Sequence, residues 1–356
     1  MNKYSTIFFF IILILSGKCF ASPAISGGVW FNYSYIEDNE RDKKTVGDIS
    51  DEALILYIDG EAPEGKGNWS YSAEFRIGNG AFTDSENNAS GDNSTLHKAW
   101  VGFYLSENYK LIVGKSQVPF AWKTANFWPG DMFQAAYGDQ MDVGLKLMAQ
   151  TELFDYQLAY FHADDWGETS TDSTDDNKHW GSSTTYRKVK TFVADVKIPM
   201  TERHILGLSG QSGKLQDLIS PENDLTGDHQ AWSAYYHGKF DNFYIKAEYI
   251  DGQRELPQAY ASQANLVDTI ENTRYGFEFS YQMNEWNFIF DATWAKPDTL
   301  GNSADTITAY APGISYDYGP GWIYLEYLTQ DGWIDRDMMI HEGDFDAWYL
   351  TIDFYF

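Results

Sequence analysis

An all-β, closed antiparallel up-and-down transmembrane β-barrel of about sixteen strands, with an inward-folded third loop, is the fold class this sequence predicts. Three observations carry it. Apolar and polar residues alternate in short segments along the whole chain. Short and long connections alternate between those segments. The last dozen residues alternate to the final atom, with Trp348, Leu350, Ile352, Phe354 and Phe356 on one face and Ala347, Tyr349, Thr351, Asp353 and Tyr355 on the other. A period of two means a strand between two unlike environments. A terminal strand in a soluble protein usually frays. In lipid it has to pair with the first strand, because an open edge leaves backbone groups unsatisfied.

The N-terminus reads as an address. Lys3 precedes the apolar run from Ile7 to Leu15, and Cys19-Phe20-Ala21 supplies small residues at a cleavage position. This is the pattern of a secretory signal peptide spanning 1–21, with the barrel over 22–356. Cys19 is the only cysteine, so a chain cleaved after Ala21 has no disulfide and no thiolate metal site. Nothing after the leader approaches eighteen consecutive apolar residues, the length that marks a membrane-crossing helix. Aromatic residues make up 17% of the chain, yet its mean hydropathy is polar at -0.44. Strands that alternate lipid-facing and lumen-facing residues reconcile the two. The net charge of -27 disfavours nucleic acid as a partner.

Sixteen alternating segments follow in order: 27–36, 52–59, 68–77, 96–105, 109–116, 142–149, 155–162, 189–198, 204–211, 230–240, 242–250, 273–282, 286–295, 306–317, 321–329 and 345–356. Short connections such as Asp241-Asn242 and Met283-Asn-Glu285 alternate with long ones such as 117–141 and 251–272. Short turns at one end and long loops at the other are the habit of outer-membrane barrels. Aromatics near the short-turn ends, among them Trp69, Tyr109, Phe240, Phe243, Trp286 and Trp322, would form an interfacial girdle.

The inward faces carry charge. Glu74, Arg76, Lys98, Lys146, Lys246, Glu248, Glu278, Asp291 and Glu326 are the expected lumen wall. A charge at the bilayer midplane costs about 2–4 kcal/mol on a lipid face, so these positions imply water inside. Counted together, the lumen charges of both signs are nearly balanced, which gives no deep anion well.

Most long loops are acidic and polar, and read as solvated. The third, 117–141, holds Pro119, Phe120, Trp122, Phe127, Trp128, Pro129, Met132, Phe133 and Tyr137. That much aromatic surface must pack on something. Folded inward, the loop would build a pore constriction from Lys115, Phe120, Trp122, Lys123, Trp128, Asp131, Phe133, Asp139 and Asp142. The other reading is an outer lid or a subunit contact.

Gly114, Lys115, Pro119 and Phe120, at the passage from fifth strand to third loop, resemble the corresponding segment of the phosphate-selective porins of the O and P type. Phe356 similarly resembles the C-terminal signature of bacterial outer-membrane barrels. The resemblance implies a sixteen-stranded channel, a homotrimer, and the outer membrane of a Gram-negative bacterium with its lipopolysaccharide. It does not extend to phosphate, because the arginine-lined pore and basic constriction of that family are replaced here by mixed charge.

The expected function is passive diffusion of small hydrophilic solutes or ions, weakly cation-selective or non-selective, without cofactor or metal. Rival readings are an anion- or phosphate-selective pore, an adhesin or structural barrel, and a lipid hydrolase. Gly207-Leu-Ser-Gly-Gln-Ser-Gly213 approaches a nucleophile elbow but fails the Gly-x-Ser-x-Gly spacing and lies in a strand. No His-Glu-x-x-His motif occurs, so no catalytic group is assigned. Asp164, Asp165, Asp172, Asp175 and Asp176 read as a solvated loop, or as ligands of divalent cations shared with lipopolysaccharide phosphates.

Overall fold

A computed structural model describes residues 24–63, 65–81, 93–120, 133, 141–164, 185–220 and 224–356. The expected leader lies outside them. Sixteen strands run β1 (Ala24–Ile36), β2 (Asp48–Glu61), β3 (Trp69–Ile77), β4 (Ser94–Ser106), β5 (Tyr109–Gln117), β6 (Met141–Gln150), β7 (Asp155–Ala163) and β8 (Tyr186–Thr201). They continue as β9 (His204–Asp217), β10 (Gly227–Phe240), β11 (Phe243–Glu255), β12 (Thr269–Met283), β13 (Trp286–Pro297), β14 (Ile307–Asp317), β15 (Trp322–Ile334) and β16 (Ile340–Tyr355). Two short helices, α1 (Glu40–Thr45) and α2 (Gln258–Ala264), lie in the first and sixth long loops.

Each strand pairs antiparallel with its sequence neighbours, and β1 closes the ring on β16. The seam runs in register from Gly28 opposite Tyr355 to Ile36 opposite Ala347. Gly27 and Phe356 extend it by exchanging both backbone hydrogen bonds at 2.9 Å. Thr351 Oγ1 donates to Asn32 Oδ1 across it at 2.9 Å, and both side chains are buried. The last residue is therefore a ladder partner.

Alternation holds as expected. On β16, Trp348, Leu350, Ile352, Phe354 and Phe356 are exposed outward, whereas Ala347, Tyr349, Thr351 and Asp353 are buried inward. On β3, Ser70, Ser72 and Glu74 are buried between half-buried Trp69, Tyr71, Ala73 and Phe75. Short turns use Asp241 and Asn284, both at φ +53, a region that Asn and Asp tolerate better than other side chains. Aromatic contacts at that end, such as Phe243 with Tyr281 at 4.6 Å and Trp286 with Tyr316 at 4.7 Å, agree with a girdle.

Several strands run further toward the long-loop end than the alternation marks. Strand β9 reaches Asp217 where the pattern stops at 211, and β16 starts at Ile340 rather than 345. Beyond the apolar band the outward residues of β9, Ser212, Lys214 and Gln216, are polar, so no lipid-facing period reveals the extension, although Leu215 there is buried in an apolar cluster.

Candidate functional site: the lumen and the loops that enter it

Two regimes divide the lumen along its axis. Toward the short turns the inward positions are charged or polar. Toward the long loops apolar residues such as Leu215, Ile250 and Ile270 share the inward positions with buried Lys188, Arg254, Arg274 and Asn272, and loop residues pack on them.

In the charged half, Arg76 contacts Glu74 at 2.8 Å and lies 5.6 Å from the Trp30 ring. Lys98 stands 4.0 Å from Glu74 and 5.8 Å from the Tyr57 ring. Lys246 pairs with Glu278 at 3.0 Å across β11 and β12, and Glu278 faces Asp291 across β12 and β13. Ser233 donates to Glu248 at 2.7 Å. Glu74, Lys146, Glu248, Glu278, Asp291 and Glu326 are buried within the barrel wall, and Arg76 and Lys98 are partly exposed. Lys246, of the expected wall, is likewise partly exposed.

Their signs are segregated around the circumference. Strands β1, β2, β14, β15 and β16 contain no lysine or arginine at all. The β13–β16 wall presents Asp291, Glu326 and Asp353, while β3–β6 holds Arg76, Lys98, Lys110, Lys115 and Lys146 against Glu74 and Asp142. A balanced count therefore conceals a field directed across the bore. In a low-dielectric wall such separation acts strongly on a charged solute.

The second half is built by three loops. Phe133 of the third loop is buried at 2% exposure in a cluster with Ala295, Ala309, Ala311, Leu328, Ala347 and Tyr349 of β13–β16. The alanines leave the room a phenyl ring fills. The Phe133 carbonyl accepts from Arg274 Nη1 of β12 at 2.8 Å. The loop leaves β5 and rejoins at β6, on the opposite side of the ring from β13 and β14. Phe133 thus lies on the far side of the bore from the strands that its loop joins.

Phe120 and Val118, at the beginning of the same loop, are buried in a second cluster. It includes Phe161, Tyr186, Leu215, Ile250 and Ile270 of the wall, Leu256 and Ala261 from the sixth loop, and Met338 from the eighth. The eighth loop, 335–339, is held by four strand or helix groups. Asp337 accepts from Tyr186 at 2.5 Å and from Tyr260 of α2 at 2.7 Å. Arg254 donates to the Arg336 carbonyl, and Asn272 donates to the Met338 carbonyl at 2.7 Å. Burial first, then the bond to Asp337, pushes the Tyr260 phenol well above its ordinary value, which keeps it a donor. Arg274 Nε also donates to Asn272 Oδ1 at 3.0 Å. One relay, Arg274 to Asn272, therefore grips both the third and the eighth loop.

Sequence reasoning missed this grip. Arg254 and Arg274, at 1% and 0% exposure, went unassigned, because the dense aromatic content of the third loop drew the reading there. Leu256, Leu266, Met338 and Met339 in otherwise polar loops were the available signal.

Of the expected constriction, Phe120 and Phe133 are placed as above. Lys115 and Asp142 are buried at 3% and 2% at the base of the third loop. Lys115 is in register with Val143, which is 47% exposed on the outward face. Gly114, at φ +120, breaks the alternation just before it, a conformation that favours glycine. Lys146 Nζ donates to the Gln117 carbonyl at 2.8 Å and so steadies the same base. Trp122, Lys123, Trp128, Asp131 and Asp139 lie outside the described residues, as do Asp165, Asp172, Asp175 and Asp176.

No family model matches the chain, and no curated protein matches it. Solved structures do. OmpT of Vibrio cholerae, an outer membrane protein in trimer form, superposes with a TM-score of 0.65 at 9% identity, covering 95% of this chain and 100% of that one. OmpF of Salmonella typhi gives 0.64 at 10% identity, over 94% and 98% of the two chains. The anion-selective porin from Comamonas acidovorans gives 0.62 at 12% identity, over 94% and 100%. At such identities the likeness is one of fold: this chain has the closed sixteen-stranded architecture of bacterial outer-membrane porins.

Proposed function

We propose that the chain is an outer-membrane porin through which small hydrophilic solutes or ions diffuse passively. The observation that carries this is a closed barrel whose outward face is apolar and whose inward face is charged from Glu74 round to Asp353. Charge on alternate positions of a lipid-spanning wall is supported only by an aqueous interior. Loops three, six and eight narrow that interior at one end. The purified full-length protein, added to a planar bilayer, is expected to give discrete conductance steps that grow with salt. Absence of any step from protein shown to be folded would refute the reading.

Selectivity follows from placement. Acidic outer loops concentrate cations at the mouth within about 8 Å at ~0.15 M salt. In the sequence of the third loop and its base, Lys115 and Lys123 are offset in sign by Asp131, Asp139 and Asp142. The reading is weak cation preference or none, measured as the reversal potential in a salt gradient. Kinship with the O and P type porins, suggested by Gly114, Lys115, Pro119 and Phe120, is read as shared architecture without their phosphate selectivity. Block of conductance by micromolar phosphate would overturn that. A homotrimer is the proposed assembly, in keeping with the trimer form of OmpT of Vibrio cholerae. No enzymatic role is proposed. Ser209, the serine nearest an elbow motif, donates to Asp195 at 2.8 Å, on a carboxylate oxygen that Tyr235 also engages.

A further inference from the structure

The outward wall of β6–β10 departs from a smooth apolar band. Leu158, Ala194, Gly210 and Trp232 stand side by side in one row across β7, β8, β9 and β10. Large residues thus flank two small ones. A Cβ built on Gly210 meets nothing within 4 Å. The result is a furrow of about 900 Å³, walled by Leu145, Leu158, Phe192 and Trp232 and floored by Ala194 and Gly210. With strands about 4.8 Å apart, a trough floored by two of them admits a hydrocarbon chain.

Its long-loop end is cationic. Ser212 lines the furrow, and Lys214 is two residues further along the same face of β9, roughly 7 Å away. Phe192 lines it too, and just beyond it on β8 come Lys190 and Arg187. Lys190 sits at φ +53, where the β8–β9 register shifts between Val189 and Phe192. A bulge of this kind re-aims a side chain, and Lys190 is exposed. Gln216 steers Arg187 through a 3.0 Å bond to its Nε. The acids nearby are Asp228, 2.6 Å from Lys214, Glu255 in register with Asp228 on β11, and Asp251 at the furrow's edge. Three cations at the head of one apolar furrow, in a chain of net charge -27, are not the average of this surface.

We propose that this furrow is a binding site for a phosphorylated, multiply acylated lipid of the outer leaflet. One acyl chain lies over Ala194 and Gly210, and a phosphate is gripped by Arg187, Lys190 and Lys214. Arginine and lysine suit phosphate oxygens, and basic clusters at the edge of an apolar span hold lipid head groups. The site rests on the outer-membrane reading above, but its test does not depend on conductance.

Full-length protein in detergent is mixed with lipid A, and separately with lipid A stripped of its phosphates, and the lipid-bound fraction is read by native mass spectrometry. The wild type is expected to retain the phosphorylated lipid at least about tenfold better than the stripped one, a factor set by losing charge-assisted hydrogen bonds. Arg187→Glu with Lys190→Glu is expected to remove that preference. Gly210→Trp, which fills the furrow, is expected to reduce binding of both lipids. Equal retention of both lipids by wild type, or unchanged retention in the charge variant, overturns the proposal. Conversion of Gly210→Trp to a smaller oligomer with lipid binding intact overturns it too, because the furrow would then seat a second copy. If Gly210→Trp fails to give a heat-modifiable band, the charge variant alone decides. Loss of conductance with lipid binding preserved would instead count against the porin reading.

Discussion

Replacing Phe133 by alanine isolates the contribution of the third loop to the bore. The side chain is 2% exposed, and its ring occupies the space left by Ala295, Ala309, Ala311 and Ala347. Truncating a phenylalanine this buried costs about 3–5 kcal/mol. No ladder hydrogen bond of the barrel involves residue 133, so the loss falls on loop docking. At 1.4 kcal/mol per tenfold, the docked state loses roughly two to three and a half orders of magnitude. The Arg274 bond to the Phe133 carbonyl, at 2.8 Å, is weakened with it. Single-channel recordings of Phe133→Ala should show either a larger conductance or frequent transitions to a larger state. Heat-modifiability should stay that of the wild type, because the ring of strands is untouched. Phe133→Leu, which keeps most of the apolar volume, should lie between. Recordings indistinguishable from wild type in level and noise would refute the inference that Phe133 anchors a loop crossing the lumen.

Other outcomes follow from the same geometry. Asp337→Ala removes the acceptor shared by Tyr186 and Tyr260, so the eighth loop should loosen and open-channel noise should rise. Tyr260→Phe, which removes one of the two donors, should do so less. Deleting 345–356 removes the whole β1–β16 register and should abolish the heat-resistant folded form; a normally folded band would contradict closure at that seam. Lys115→Glu with Lys123→Glu should shift the reversal potential toward cations, and more so at low salt, where screening is weaker. No shift would mean that neither charge is sensed by permeating ions.

Much of the fold was legible because lipid enforces a period of two. Trp348 to Phe356 and Trp69 to Ile77 each show a face that only a bilayer accepts, and the structure keeps those faces. Asp241 and Asn284 lie in short connections that the alternating segments left between them, and both stand at positive φ. The period fades where lipid ends, and there the reading lost the outer extents of β2, β8 to β12, β15 and β16. The lumen was legible by sign of charge but not by arrangement. Register and ring order, which no single strand reveals, set Asp291 and Glu326 opposite Lys98 and Lys146. Long-range grips were the least visible. Nothing local in Arg274 or Asn272 indicates that they hold carbonyls of residues 133 and 338, since those partners lie 141 and 66 positions away.

Two deletions measured side by side test whether a water-filled barrel is narrowed by an inward third loop. Removing 122–137 should raise single-channel conductance in a planar bilayer, whereas removing 165–178 from the acidic fourth loop should change it far less. An unchanged conductance after the first deletion, or equal changes after both, would contradict that narrowing.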